Sequence, residues 1–336
     1  MNATLQCLAH IPELSEDLIN NYFTFYNNII QAFPLTKEYI ILLINIFSIN
    51  SDNTSNNYRP HNLKKIIESK DGLFVGNEAQ DAKDLLLFLI ETMNAELNGG
   101  ISPIYNDILR LRIDARDQMK IKQTFLNDFN RKNFSPFSKI LYGFCQSCSS
   151  CQRCNTKRYT YKCFNSLIFS LSQIKNHISR YNNNNSHILN LNDCFEFYQK
   201  YEIFEGDNQI LCPDCNLMEN NCIQRKIDIT PPVLIIVLDR GPNNMNFQER
   251  FDFDEYLDLN NFVTNNTNNY TQYFLSGVIT HIGESGLSGH YIAFCKMDIQ
   301  SPWYSYSDSS VKKCQDQREM FKTGVPYILF YHYFNN

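Results

Sequence analysis

The sequence predicts an α+β fold in which helices are gathered ahead of strands. Two observations carry this. In the first hundred residues, apolar side chains recur at helical spacing: Leu5, Leu8 and Ile11; Leu42, Leu43 and Ile46; then Ala82, Leu85, Leu86, Leu89, Ile90, Met93 and Leu97. In the last hundred or so they form strand-type runs: Pro231 to Leu238 (PPVLIIVL), Tyr273 to Thr280, His290 to Lys296, and VPYILFYHY near the end. A third observation concerns the middle, where cysteines at Cys-x-x-Cys spacing mark a segment stapled by a metal.

Composition narrows the class. The chain has 336 residues, enough for one large domain or two modest ones, and 43% hydrophobic with 14% aromatic residues describes a packed globule. A formal charge of −5 and a pI near 5.8 argue against nucleic acid as a partner, because phosphate binding needs a basic face. No apolar run approaches the ~18 residues of a membrane span, so no membrane partner is expected. The start, MNATLQCLAHIPEL, lacks the basic residues and long apolar run of a signal peptide. Twelve cysteines then read as thiols and metal ligands in a reducing compartment, cytoplasmic or nuclear, and sequons such as Asn265-Asn266-Thr267 carry no glycan.

In chain order, residues 1 to 11 predict a short helix stopped by Pro12. Residues 13 to 76 carry helical periodicity around Leu42 and Ile46, then a polar loop from Ser51 to Asn57. From Asn77 the signal strengthens: Asn77 and Gln80 form a capping-box pattern, and Gly99-Gly100 ends the helix. Asp81 and Asp84 sit near its start, where carboxylates suit the helix dipole. Cys145, Cys148, Cys151 and Cys154 follow, with Cys212 and Cys215 much later. Two separated Cys-x-x-Cys pairs indicate a tetrahedral zinc site, and spacing alone leaves open which early pair joins Cys212 and Cys215. An iron–sulfur cluster on the first four is disfavoured, since the ferredoxin run needs three residues before its last cysteine and a proline after it. The asparagine runs at 53–57, 182–185 and 265–269 read as loop-lengthening insertions.

The stretch HIGESGLSGHYIAFCKMDIQSPWYSYSDSSV, His281 to Val311, holds the candidate chemistry. A strand from His290 to Lys296, a turn through Asp298 to Pro302 and a strand from Trp303 to Tyr306 make a hairpin. With the turn centred near Ile299, His290 comes opposite Ser307 and Asp308. A histidine beside an acid or a hydroxyl is how an imidazole is held in one tautomer for general-base work; an isolated His/Asp pair is otherwise a surface feature.

These residues resemble the histidine box of the ubiquitin-specific proteases, papain-like cysteine deubiquitinases: His281-Ile282-Gly283, Gly289-His290-Tyr291-Ile292-Ala293, and Trp303 to Val311 in the pattern W-x-x-F-[DN]-D-x-x-V, with Ser307 where Asp or Asn is usual. Gln80-Asp81-Ala82-Lys83-Asp84 resembles the family's Q-D-A-x-E, with Asp84 one methylene short. Pro231 to Leu238 resembles its P-x-V-L-I-I-x-L strand, followed here by Asp239-Arg240-Gly241. Met1 to Leu8 resembles the second half of G-N-T-C-Y-M-N-x-x-L-Q-C-L. The resemblance implies a right-hand shape: a helical thumb over about 1–135, zinc-tipped β-fingers within about 140–230 and a β-sheet palm over about 231–336.

The activity implied is cysteine-type hydrolysis of the isopeptide bond after ubiquitin's terminal glycine, with ubiquitin and ubiquitinated proteins as partners. His290 is the implied base, oriented by Asp308 or Ser307; Asp308 is expected to matter more, because a carboxylate stabilises the imidazolium. Gln80, Asp81, Asp84, Gly289 and Tyr291 are implied to bind the ubiquitin tail, with Gly283 to Gly289 a mobile loop over it. Cys151, Cys154, Cys212 and Cys215 are implied to hold a structural Zn2+. The family's nucleophile falls two residues ahead of Met1, so the sequence is expected to be an N-terminally truncated member, inactive as it stands. Cys7 lies two turns into its helix, where a buried structural thiol is expected. The alternative reading is a ubiquitin-binding module without catalysis.

Overall fold

The structure is a computed structural model, and it describes residues 1–21, 33–48, 58–76, 78–98, 116–181, 187–241, 247–264, 270–286, 288–315 and 323–334. The predicted asparagine-rich loops, residues 53–57, 182–185 and 265–269, lie outside them, as do Asn77, Gly99 and Gly100.

Helices dominate the first part of the chain. α1 spans Asn2–Ala9 and α2 Pro12–Asn20. Pro12 therefore opens a second helix as well as closing the first, since a proline at the first helical position has no N–H to leave unpaired. α3 (Pro34–Ser48) and α4 (His61–Lys70) follow, then α5 (Ala82–Leu97). The start of α5 corrects the sequence reading. Its N-cap is Asp81, whose Oδ1 accepts from the Lys83 N–H at 2.8 Å, not an Asn77–Gln80 capping box; its C-cap is Asn98, directly before the glycines expected to end it. α6 (Gln118–Lys132) and α7 (Pro136–Leu141) complete the helical part.

A four-stranded antiparallel sheet comes next, built on β1 (Gly143–Cys151) and β2 (Lys157–Phe164). β3 (Leu167–Ser170), α8 (Leu171–Tyr181), β4 (Leu189–Asn190) and α9 (Leu191–Gln199) lead to β5 (Tyr201–Phe204). The short hairpin β6 (Ile210–Cys212) and β7 (Leu217–Glu219) is followed by β8 (Asn221–Ile229), giving the order β2-β1-β8-β5.

The larger sheet takes β9 (Val233–Asp239), then, after β10 (Phe251–Asp252), β11 (Tyr256–Asp258), β12 (Gln272–Ser285), β13 (Ser288–Cys295), β14 (Tyr304–Ser307), β15 (Ser310–Lys313) and β16 (Val325–Tyr333). Its order is β15-β14-β13-β12-β16-β9-β3, with β11 on β12, and β3 alone runs parallel to its neighbour. The run Val233 to Leu238 is apolar throughout because both faces of β9 are buried. Val233, Ile235 and Val237 pack with the helices, whereas Leu234, Ile236 and Leu238 pack on the opposite side with α8 and α9. The predicted glycine loop at 283–289 is mostly strand: Ser285 pairs with Ser288 at the tip of the β12–β13 hairpin.

Candidate active site and metal centre

α1, the segment before α5, the β12–β13 tip and the β14–β15 turn converge on one cleft of about 470 Å³, lined on one side by His290, Gly289 and Asp308 and on the other by Gln80 and Asp81. Asn2 and Ala3, at the start of α1, line it too.

His290 is carried by β13, whose register places Ala293 opposite Tyr306 on β14, so the expected hairpin forms with its turn centred between Ile299 and Gln300. The pairing stops short of His290, leaving its ring free to reach the end of β14. There Nε2 lies 2.9 Å from Ser307 Oγ and 4.0 Å from Asp308 Oδ2. With Nε2–H donating to the hydroxyl, Nδ1 is left as the proton acceptor. Ser307 is the nearer partner, contrary to the ranking expected from charge. Asp308, with a side chain 77% exposed, sits at φ 49 in the two-residue turn that sets Ser307 opposite Ser310. At that distance and exposure its carboxylate contributes on the order of 1 kcal/mol or less to an imidazolium.

Across the cleft, Asp81 caps α5 and also accepts from the Tyr327 hydroxyl, which lies 2.6 Å from Oδ2 and 2.8 Å from Oδ1. Burial, reinforced by the Asp81 charge, pushes Tyr327 well above the usual tyrosine range, so it remains a donor. Tyr291 is raised by the same two causes. Asp84 stands apart from these residues: it does not line the cleft, and its carboxylate lies 3.6 Å from Lys83 Nζ.

Gly289 is glycine for two reasons. Its φ of 156° is one L side chains rarely adopt, and a Cβ would fall 2.3 Å from the His281 ring. That ring is buried, edge-on to Phe247 at 4.8 Å and Tyr291 at 4.7 Å, and burial lowers its pKa, so His281 is a neutral packing residue in the wall of the cleft. Sequence reasoning missed the framework around it. Arg240 is 2% exposed, and its guanidinium donates to the carbonyls of Pro326 (3.0 Å), Phe247 (2.9 Å) and Glu249 (2.6 Å), while Gln248 donates to the Gly283 carbonyl. An arginine ending an apolar strand was the one available signal. Tyr327 had none, because its partner is 246 residues away.

Cys7 is buried with its sulfur 3.6 Å from that of Cys295, a packing contact, and no cysteine is among the described residues lining the cleft.

The second centre lies at the far end of the four-stranded sheet. Cys151, Cys154, Cys212 and Cys215 bring their sulfurs within 4.8 Å of one another, with Cys151–Cys215 at 3.9 Å and Cys154–Cys212 at 3.7 Å. Metal–sulfur bonds of about 2.3 Å in a tetrahedron require sulfur separations of about 3.8 Å, so this donor set fits a metal ion. Each Cys-x-x-Cys pair, Cys151 with Cys154 and Cys212 with Cys215, sits on a knuckle of the same form. Asn155 (φ 58) and Asn216 (φ 54) turn the chain so that their N–H groups donate to the carbonyls of Cys151 and Cys212. The choice that spacing left open is resolved in favour of Cys151 and Cys154; Cys145 and Cys148 lie along β1, outside the cluster.

Comparison with protein families matches the ubiquitin carboxyl-terminal hydrolase family over residues 1–331. Among curated proteins, the chain is 23% identical to ubiquitin carboxyl-terminal hydrolase Usp2 of Drosophila melanogaster, over 98% of this chain and 33% of that protein. It is 26% identical to ubiquitin carboxyl-terminal hydrolase 2 of Bos taurus, over 98% and 53%. It thus spans between a third and about half of these two relatives. Among solved structures, it superposes on the SAGA Ubp8/Sgf11/Sus1/Sgf73 DUB module bound to ubiquitin aldehyde with a TM-score of 0.70 at 20% identity, covering all of this chain and 67% of that one. The chain belongs to the ubiquitin carboxyl-terminal hydrolase family, that of the ubiquitin-specific proteases.

Proposed function

We propose that this chain is the catalytic domain of a cysteine-type deubiquitinase that cleaves the isopeptide bond after ubiquitin's terminal glycine. The observation that carries the reading is the cleft itself: His290, paired with Ser307, faces a wall built on Asp81 while the start of α1 lies between them. In this reading a cysteine borne just ahead of α1 gives its proton to His290 Nδ1 and attacks the carbonyl. His290 then protonates the leaving lysine amine, and afterwards activates the water that releases ubiquitin. Asp81, fixed by Tyr327, takes a basic residue of the ubiquitin tail; Gln80, Gly289 and Tyr291 line the tail's path, and Asp84 adds longer-range charge. A related module solved with ubiquitin aldehyde supports ubiquitin as the ligand. The thumb, fingers and palm correspond to α1–α7, to the four-stranded sheet with its β6–β7 hairpin, and to the larger sheet. Zinc is the ion we assign to the four cysteines, in a structural role, since thiolate sets of this geometry suit it. We assign the protein to the cytoplasm or nucleus because a thiol nucleophile and thiolate metal ligands suit a reducing compartment.

Residues 1–336 alone, with no thiol among the described residues lining the cleft, are expected to bind ubiquitin without turning it over. The test is hydrolysis of a ubiquitin–fluorophore amide by this chain and by a form extended upstream with Asn-Thr-Cys-Tyr. Turnover by the extended form, lost in its His290→Ala variant, is the expected result. Inactivity of both with ubiquitin still bound supports a non-catalytic binding module instead, and turnover by the short form abolished in Cys7→Ala overturns the structural role of Cys7.

A further inference from the structure

We infer that Asn2 of α1 and His10, its C-cap, are positioning residues that hold the β14–β15 turn so that Ser307 can orient His290. The inference rests on the proposed reading of His290 as the base. Asn2, Gln6 and His10 are spaced four apart, so they share one face of α1 and its end. A chain of hydrogen bonds runs along that face. The Tyr306 hydroxyl is 2.9 Å from His10 Nε2, and His10 Nδ1 is 2.8 Å from the Gln6 carbonyl. Gln6 Nε2 lies 3.5 Å from Asn2 Oδ1, and Asn2 Nδ2 donates to the Asp308 carbonyl at 3.0 Å. The Gln6 carbonyl can only accept, so His10 carries its proton on Nδ1 and Nε2 receives the Tyr306 hydroxyl. Burial lowers the His10 pKa, which keeps it in that neutral form.

The two ends of this chain grip Tyr306 and Asp308, the residues on either side of Ser307. A carboxylate attracts an imidazolium over a range of orientations, whereas a neutral hydroxyl helps only when its oxygen is aimed at Nε2. Where serine stands in the third position, the fixing of the turn therefore takes over part of what charge would supply. The turn needs fixing: Asp308 holds a φ of 49, a region that non-glycine residues rarely occupy. Asn2 bonds the carbonyl of that very residue. The grip also ties the start of α1, where the nucleophile would stand, to the hairpin that carries its base.

The experiment uses residues 1–336 labelled with 15N-histidine, with the His290 tautomer read from long-range 1H–15N spectra. The variants are Asn2→Ala, Asn2→Leu (similar volume, no donor), Tyr306→Phe and Ser307→Ala, each checked by thermal melting. The wild type is expected to show His290 as one neutral tautomer, protonated at Nε2. Both Asn2 variants should give a tautomer mixture like that of Ser307→Ala, and Tyr306→Phe a partial shift the same way. The Asp308 and Ser309 amides should exchange roughly tenfold faster in the Asn2 variants, the factor that corresponds to losing about 1.4 kcal/mol. A wild-type His290 pattern in folded Asn2→Leu and Tyr306→Phe overturns the inference. Addition of ubiquitin to the same wild-type sample tests the reading beneath it separately: absence of binding would sink the proposed function without altering the tautomer result.

Discussion

In the proposed function Ser307 and Asp308 are the two candidates to orient His290, and their separation from its ring decides between them. Ser307 Oγ is within hydrogen-bonding distance of Nε2, whereas Asp308 is 4.0 Å away and largely in solvent. An exposed ion pair at that range is worth 0–1 kcal/mol, and salt screens it. In the form extended with its cysteine, Ser307→Ala is accordingly expected to lower kcat by about tenfold or more, since the wrong imidazole tautomer becomes accessible. Asp308→Asn is expected to cost less than about fivefold, and less still at high salt. Steady-state kinetics at two salt concentrations check both. A larger loss for Asp308→Asn would show that charge, not the hydroxyl, holds the ring.

Among the elements, α3 depends on a residue that does not belong to it. Glu96, near the end of α5 and 6% exposed, accepts from the Leu35 and Thr36 N–H groups at 3.2 and 2.8 Å and from the Thr36 hydroxyl at 2.7 Å, with Lys70 Nζ at 3.1 Å. It caps α3 from outside and satisfies donors the helix leaves unpaired. Glu96→Ala is predicted to destabilise the protein by about 3–5 kcal/mol and Glu96→Gln by about 1–3 kcal/mol, measured by denaturant unfolding. In the proposed reading, the four-stranded sheet and its β6–β7 hairpin depend in the same way on an ion held by Cys151, Cys154, Cys212 and Cys215. One zinc per chain is expected by metal analysis. Chelation or Cys212→Ser should open residues 143–229 to protease, while Cys148→Ser should not; iron, or no metal, would contradict the assignment. These two cases mark what the sequence made legible. The knuckles could be read because their ligands recur at fixed local spacing, and β9 because a strand buried on both faces is apolar throughout. The start of α5 was misread because Asn77 and Gln80 match a capping pattern equally well, and only the bond from the Lys83 N–H to the Asp81 carboxylate shows that Asp81 is the cap. The bonds joining Glu96 with Thr36, Arg240 with Pro326 and Tyr327 with Asp81 span 60, 86 and 246 residues, separations that local periodicity does not encode.

For the molecule as a whole, three histidines buried in different places give stability a common pH dependence. Burial holds the pKa of His10, His281 and His332 below the ordinary value of about 6.5. His332 faces Glu13 and Phe274; His281 faces Phe247 and Tyr291, with Asp81, Arg240 and His290 nearby. Below about pH 6.5 the unfolded chain takes up protons that the folded rings refuse, so stability falls as pH falls and is restored on neutralising. Melting temperature should decline from about pH 7 to pH 5, with a shallower slope in His332→Gln; a rise on acidification would contradict this.

In the proposed function the cleft between Asp81 and His290 receives the C-terminal tail of ubiquitin. This is tested most directly by titrating residues 1–336 with intact ubiquitin and with ubiquitin lacking its last residues, for the wild type and Asp81→Asn. Loss of the tail is expected to weaken binding by about tenfold or more, and Asp81→Asn to weaken binding of intact ubiquitin alone. Equal affinity for both forms of ubiquitin, or an Asp81 effect that persists without the tail, would contradict it.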